Sequence, residues 1–358
     1  MTRIAILAGG GQLPLAIADS ISAGGGVAHI VAIDGAANAE FGRHPTTRVG
    51  LGKLNAMLTA LRQNGDAMVI AGHLTRPDLL RLKPDRGFFR HLPDILALLS
   101  GGDDAVLTRV VRFFENRGLR VLGIGDVAPD LIVADGLAAG PELQSWQPAA
   151  ERGFEVLDAV SDLDIGQAIV VTEANVLAFE GVEGTDRMLA RLGTPDVSEQ
   201  PVTSRVLVKA PKRGQELRID MPTIGPQTIV RAAEAGLTAI VVEAGRTVVV
   251  DLDQVREIAR ERGIAVFGAR RDGADAAAVL SEPVVASARR GVQAGRVTPL
   301  DYDRADAMKA IACCERLSAF GAGKAACVVR QHVLAVEAGE GIVAMASRLA
   351  ALRQWGGL

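Results

Sequence analysis

The chain has 358 residues, 49% of them apolar, and a formal net charge of −3. That apolar content can fill two or three cores, and the charge balance argues against a nucleic-acid partner, which needs a basic surface. No run approaches the ~18 apolar residues of a membrane-spanning helix, and MTRIAILAGGG reads as a first strand, not a signal peptide. Aromatic residues are scarce, with Tyr302 the single tyrosine, so no base-stacking platform is expected. Cys313, Cys314 and Cys327 lie near the C-terminus without C-x-x-C spacing, which fits a reducing compartment. The five histidines include no H-x-x-x-H pair and give no zinc motif.

Residues 3–8 read as a strand, Gly9-Gly10-Gly11 as a turn, and the stretch to about Ser22 as a helix. This is the opening of a nucleotide-binding α/β unit, in which Gly10 and Gly11 let backbone N–H groups approach a phosphate at a helix start. A tight turn without a ligand is the alternative. The run is G-G-G-x-x-P, so the dinucleotide fingerprint fails at its last glycine, and Asp34, after a second strand at 27–33, is not assigned to a ribose. Residues 51–64 place Leu54, Met57, Leu58 and Leu61 at helical spacing. A strand at 67–71 is followed by GHLTRP, whose His73 and Arg76 either meet a phosphate or sugar at the sheet's carboxyl edge or form a polar loop. Asp103 and Asp104 suit the first turn of a helix running to Asn116. Residues 119–124 read as a strand and 129–147 as an interdomain connection.

A helix at 149–157 opens the second half, followed by strands at 168–172 and 176–179. EGVEGTD leads into a helix through Leu192, with Thr185 and Asp186 as its capping pair. They also set a hydroxyl and a carboxylate at an anion-friendly helix end, and Gln167 precedes the hairpin where its amide can read a ligand. The most informative stretch is LVKAPKRGQELRIDMPTIG, from Leu207 to Gly225. It reads as a strand at 206–208, a basic loop carrying Lys209 and Lys212, a second strand at 217–219, and Asp220. Pro222 then stands near the start of a helix at 229–235, with Thr223 as candidate N-cap. A carboxylate beside a helix start and two lysines can hold a divalent cation against a phosphate; alternatively Asp220 caps the turn and the lysines are solvated. Strands at 238–243, 247–251 and 264–267 and a helix at 252–262 complete this half.

Residues 269–294 read as a linker or loose helix. Beyond it GQAIVVTEANVLAFEGVEGTDRMLARL, from Gly166, aligns without gaps on GKAACVVRQHVLAVEAGEGIVAMASRL, from Gly323, at an offset of 157 (323 − 166). The copy keeps Glu180 as Glu337 and Glu183 as Glu340, but has Ile342 and Val343 where the first copy has Thr185 and Asp186. It is expected to be a structural or dimer-forming appendage without an active site of its own.

Taken together, AGGGQLP, AGHLTRPDL, GDDAVLTRVV, LDIGQAIVV, EGTD and VLVKAPKRGQELRIDMPTIG resemble the LpxI-type UDP-2,3-diacylglucosamine pyrophosphatases over roughly residues 2–268. The resemblance implies an α/β fold with a Rossmann-like, parallel-sheet domain over 1–135 and a mixed-sheet catalytic domain over 149–268. The segment 295–358 adds a degenerate partial repeat of the 151–192 region. It implies hydrolysis of UDP-2,3-diacylglucosamine to 2,3-diacylglucosamine 1-phosphate (lipid X) and UMP, a step of lipid A synthesis, with Mg2+ or Mn2+. Carried over by motif, Asp220 binds the metal and acts in catalysis with Asp186, Lys209 and Lys212. Gln167, Thr185 and Thr223, with Gly10, Gly11 and His73 of the first domain, line the substrate. The implied setting is the cytoplasm, with peripheral contact at the inner membrane and a homo-oligomer as further expectations. Two other readings stand beside it: a non-catalytic nucleotide or lipid-sugar binding protein, and an NAD(P)-dependent oxidoreductase, which the missing glycine disfavours.

Overall fold

RIAILA forms β1 (Arg3–Ala8), buried from Ile4 onward because both faces of its sheet are covered. The computed structural model describes residues 2–37, 41–73, 84–92, 103–143, 145–193, 204–271 and 301–352. Within them the chain divides into two compact units. The first comprises Met1–Val133, Gln215–Thr223 and Gly245–Leu252, and the second Ala134–Gly214, Ile224–Ala244 and Asp253–Leu358.

In the first unit β1 is followed by α1 (Leu13–Ala23), β2 (Val27–Ile33), β3 (Thr46–Val49), α2 (Leu54–Asn64) and β4 (Ala67–Ala71). The four strands are parallel in the order β3-β2-β1-β4. The short α3 (Arg86–Arg90), α4 (Asp103–Glu115) and α5 (Ile124–Val127) complete the layers. Alternation along β1 divides the core. Ile4, Ile6 and Ala8 meet Ile17, Ala18 and Ile21 on one face, and Ala5 and Leu7 meet Met57, Leu58, Leu61, Phe113 and Phe114 on the other.

The expected strand at 119–124 shortens to a parallel bridge between Val121 and Met68. Asp126 Oδ2 accepts from the Gly123 N–H at 2.9 Å and starts α5 in its place. The expected connection at 129–147 is more ordered than a linker: it contains β5 (Gly136–Ala139), antiparallel to the last strand of the second unit's sheet, and the opening of α6 (Gln147–Ala159).

That second unit continues with β6 (Ala168–Val171), β7 (Val176–Phe179), α7 (Thr185–Leu192) and β8 (Val206–Lys209). The two-residue strand β9 (Thr223–Ile224) precedes α8 (Pro226–Glu234) and β10 (Ala239–Glu243). The two-residue strand β11 (Val248–Val249) belongs to the first unit's segment Gly245–Leu252, and α9 (Leu252–Arg262) and β12 (Ala265–Ala269) follow it. The six-stranded sheet runs β5-β12-β10-β8-β6-β7. β8, β10 and β12 are parallel, and β5, β6 and β7 make it mixed. α6 lies so close to β8 that a Cβ on Gly153 would stand 2.4 Å from Val208 Cγ2.

The repeat forms α10 (Asp301–Ser318), the hairpin β13 (Ala326–Val329) and β14 (His332–Val336), and α11 (Ile342–Leu352). Its Cys313, Leu317, Val333 and Val336 share one core with Phe154, Leu157 and Phe179. The linker expected at 269–294 opens on the last residue of β12 and the buried Arg271; from residue 272 it lies outside the described residues, as does the site candidate Arg76.

Candidate functional site

In the first unit the glycine turn meets the end of β4. Gly10 N–H donates to His73 O at 2.7 Å, and His73 N–H donates back to Gly10 O at 3.1 Å. A Cβ on Gly10 would stand 2.7 Å from His73 Nε2, so only glycine lets the imidazole lie there. Gly11 has φ of 91°, in the left-handed region that glycine accepts. The sheet order changes direction between β1 and β4, where open α/β folds bind ligands. Here the backbone closes that point: the Gly9 N–H is taken by Ala71 O and the Gly10 N–H by His73 O. Neither N–H is left for a dinucleotide pyrophosphate, which adds to the missing glycine against the oxidoreductase reading.

Asp220 stands in a turn of the same unit. The expected strand at 217–219 is absent because the Ile219 and Asp220 N–H groups both donate to Glu216 O, at 3.2 and 3.1 Å. Arg218 folds back onto Glu216, Nη2 to Oε2 at 2.7 Å, and reaches Glu115 at 2.9 Å. The hydrogen bond from Arg218 holds the Glu216 carboxyl below its ordinary value, against the opposing effect of burial. Ile219 packs against one core layer of the unit and Met221 against the other, so Asp220 is anchored on both sides. The carboxamide of Gln215, 6% exposed, donates to Asp220 Oδ2 at 2.5 Å and to Asp220 O at 2.9 Å.

Thr223 is not an N-cap: it lies in β9 and its hydroxyl donates to Met221 O at 3.1 Å. Gly225 is the N-cap of α8, and Pro226, not Pro222, occupies its first turn.

In the second unit Lys209 ends the central strand β8 and is 8% exposed. Its Nζ donates to Thr185 Oγ1 at 3.0 Å, and the Thr185 hydroxyl donates to Glu180 Oε1 at 2.6 Å. Glu180 Oε2 accepts from the Gln167 N–H at 2.8 Å, while Gln167 O accepts from the Ala210 N–H at 3.1 Å. A buried ammonium and a buried carboxylate thus share one hydroxyl. The Gln167 Oε1 beside them is buried without a hydrogen-bond partner among the described residues. Such an atom is costly unless something donates to it.

Asp186, next to Thr185 in the first turn of α7, is exposed. Lys212 is ion-paired with Asp164, whose backbone is left-handed at φ 55°. Arg213 is clamped by Asp158, Nε to Oδ1 at 2.6 Å, and the buried Arg271 reaches Asp158, Glu243 and Pro211 O. The basic loop therefore carries its own counterions.

The structure joins Gly10 to His73, and Lys209, Thr185 and Gln167 through Glu180. Gly10, Gly11, His73, Asp220 and Thr223 belong to the first unit, and Gln167, Thr185, Asp186, Lys209 and Lys212 to the second. Sequence reasoning passed over Glu180, Gln215 and Asp164 as site residues. For Glu180 a signal existed, since it is one of the positions kept in the repeat. Gln215 and Asp164 become visible only through their partners. Among the described residues no three His, Cys, Asp or Glu side chains converge as a metal cluster. A cation would rest on the single-carboxylate kind of site, completed by water and phosphate oxygens, that magnesium commonly uses; Asp220, held by a neutral amide, fits that donor set.

Comparison with known proteins gives this arrangement a family. The model of the LpxI N-terminal domain matches residues 3–131, and that of the LpxI C-terminal domain matches residues 136–267. The UDP-2,3-diacylglucosamine pyrophosphatase LpxI of Caulobacter vibrioides is 38% identical over 278 residues, covering 98% of that protein and 75% of this chain. The chain belongs to the LpxI family. The repeat at 301–352 lies beyond the last residue that the LpxI domain models match. No helix among the described residues is long and apolar enough to cross a membrane.

Proposed function

We propose that this LpxI-family chain hydrolyses the pyrophosphate of UDP-2,3-diacylglucosamine to 2,3-diacylglucosamine 1-phosphate and UMP, in lipid A synthesis. Family membership supports the substrate. The observation that carries the chemistry is the buried Lys209–Thr185–Glu180 chain with the Gln167 oxygen beside it, which has no hydrogen-bond partner among the described residues, a polar site kept at a cost.

On this reading the water oxygen bonds to one phosphorus, the P–O bond bridging the two phosphates breaks, and the water proton passes to solvent. Each product leaves with one phosphate. Lys209 binds phosphate oxygens and offsets their charge while Glu180, through Thr185, holds the ammonium in place. Gln167 Oε1 accepts from a substrate hydroxyl or amide. Asp186, exposed in the first turn of α7, is available to a water or a sugar hydroxyl. Gln215 fixes the rotamer of Asp220. Asp220 would hold Mg2+ or Mn2+, which supplies charge neutralisation on the diphosphate. The acyl chains are drawn from the cytoplasmic leaflet of the inner membrane, with the protein in peripheral contact.

The test is incubation with UDP-2,3-diacylglucosamine and Mg2+ in water enriched in heavy oxygen, with mass spectrometry of both products. Release of UMP and lipid X with label in one of them is expected, and the labelled product identifies the phosphorus attacked. No UMP release with either metal would sink the reading.

A further inference from the structure

The C-terminal repeat is related to its parent by more than sequence. At the same offset of 157 the hydrogen bonds recur. Gln167 N–H to Glu180 Oε2 at 2.8 Å becomes Lys324 N–H to Glu337 Oε2 at 3.2 Å. Arg191 Nε to Glu183 at 3.2 Å becomes Arg348 Nε to Glu340 at 3.3 Å. The bond from Arg191 to Phe179 O becomes the one from Arg348 to Val336 O.

The two copies also touch each other reciprocally. Arg191 Nη1 lies 3.5 Å from Glu340 Oε2, and Arg348 Nη1 lies 3.6 Å from Glu183 Oε1. Residue and counterpart have exchanged places in these two pairs. All four side chains are at most 16% exposed. Gly339 N–H donates to Leu177 O at 3.2 Å, and a Cβ on Gly181 would stand 2.6 Å from Leu334 O, the counterpart of Leu177. Arg316 Nη1 donates to Ala159 O at 3.2 Å. These two residues occupy the same position in the two copies, and equivalent residues approach each other where a two-fold axis passes between copies. Reciprocal contacts of this kind define an isologous interface, the form taken by two-fold homodimers.

We propose that residues 301–352 are a tethered second copy of the α6–β6–β7–α7 module, occupying within one chain the face through which two such modules would otherwise form a homodimer. The Glu183–Arg191–Glu340–Arg348 quartet is its lock. The partner chemistry is that of a second copy of this fold, and the copy serves packing alone: Ile342 and Val343 replace Thr185 and Asp186, and Lys324 replaces Gln167. While the lock is closed, this face is unavailable to another chain.

The lock can be reversed without breaking either internal pair. Glu340→Arg with Arg348→Glu keeps the repeat's own Arg–Glu pair but sets Arg against Arg191 and Glu against Glu183. Adding Glu183→Arg and Arg191→Glu restores opposite charges everywhere. Cys313, fully buried where α10 joins the core shared with α6, reports docking through its alkylation rate, and light scattering across a concentration series reports association. The wild type is expected to protect Cys313 and keep a mass independent of concentration. The double variant should alkylate at least about tenfold faster and gain mass with concentration, and the fourfold variant should return to wild-type behaviour. Wild-type protection in the double variant, or a wild-type mass that climbs in step with the variant's, would overturn the proposal. Should the double variant prove insoluble, a soluble, protected fourfold variant upholds the lock and an insoluble one refutes it.

Discussion

Asp220 and Lys209 show how differently a charge can be prepared. Asp220 is half-buried and its carboxylate accepts from the Gln215 carboxamide. Asp220→Asn keeps an acceptor for Gln215, so folding should be preserved while kcat falls by about 10²-fold or more, the usual loss for a group stabilising transition-state charge. Steady-state kinetics beside a urea melt would separate the two effects. Lys209 is buried and tied to Glu180 through Thr185. Lys209→Met should remove activity and destabilise by about 1–3 kcal/mol, because Glu180 is left charged and without its cation. Adding Glu180→Gln should recover much of that stability and none of the activity. A double variant no more stable than the single one would show that the two groups are not coupled.

Among the elements, α6 and β8 carry the clearest packing constraint. Gly153 is a poor helix residue by propensity, yet it sits mid-helix because Val208 fills the space a side chain would need. Gly153→Ala should therefore destabilise, by about 1–3 kcal/mol of overpacking, despite alanine's better propensity. Adding Val208→Ala should offset part of the loss, measured by urea midpoints, and stabilisation by the single change would refute the packing account. This glycine could not be read from the sequence, where it stands in a helical pattern with no mark of what it faces. The helix itself was legible, as were α2 and α9, because apolar residues recur at helical spacing. The strand expected at 217–219 was a wrong reading: LRI has strand composition, but Glu216 bonds to both the backbone and the Arg218 that follow it and closes a turn.

For the whole molecule, the Glu216–Arg218 pair contributes to the acid response. The folded state holds Glu216 below its ordinary value of 4.5, chiefly through the Arg218 hydrogen bond. A depressed carboxyl contributes stability that is complete above its ordinary value and is lost as pH falls through the folded one. Glu216→Gln should flatten the stability profile below pH 4.5 and leave its shape above that unchanged. Urea midpoints between about pH 6 and 3 check it; an equally steep acid limb in the variant would remove this pair as a cause. Solvent reaches Arg218, so screening makes the effect modest.

Strand, glycine turn and helix in succession pointed to α/β units, and a gapless alignment at an offset of 157 exposed the repeat and its loss of polar tips; the parallel first sheet was implied by the resemblance. The motif order pointed to the family. What only tertiary structure decided is which charges answer each other. Glu180 beneath Thr185 and Gln215 behind Asp220 lie five residues apart and meet through the fold of one turn, whereas Asp164 on Lys212 and the crossed pairs between the two copies are brought together by strand order and helix packing, so no window along the chain contains both partners.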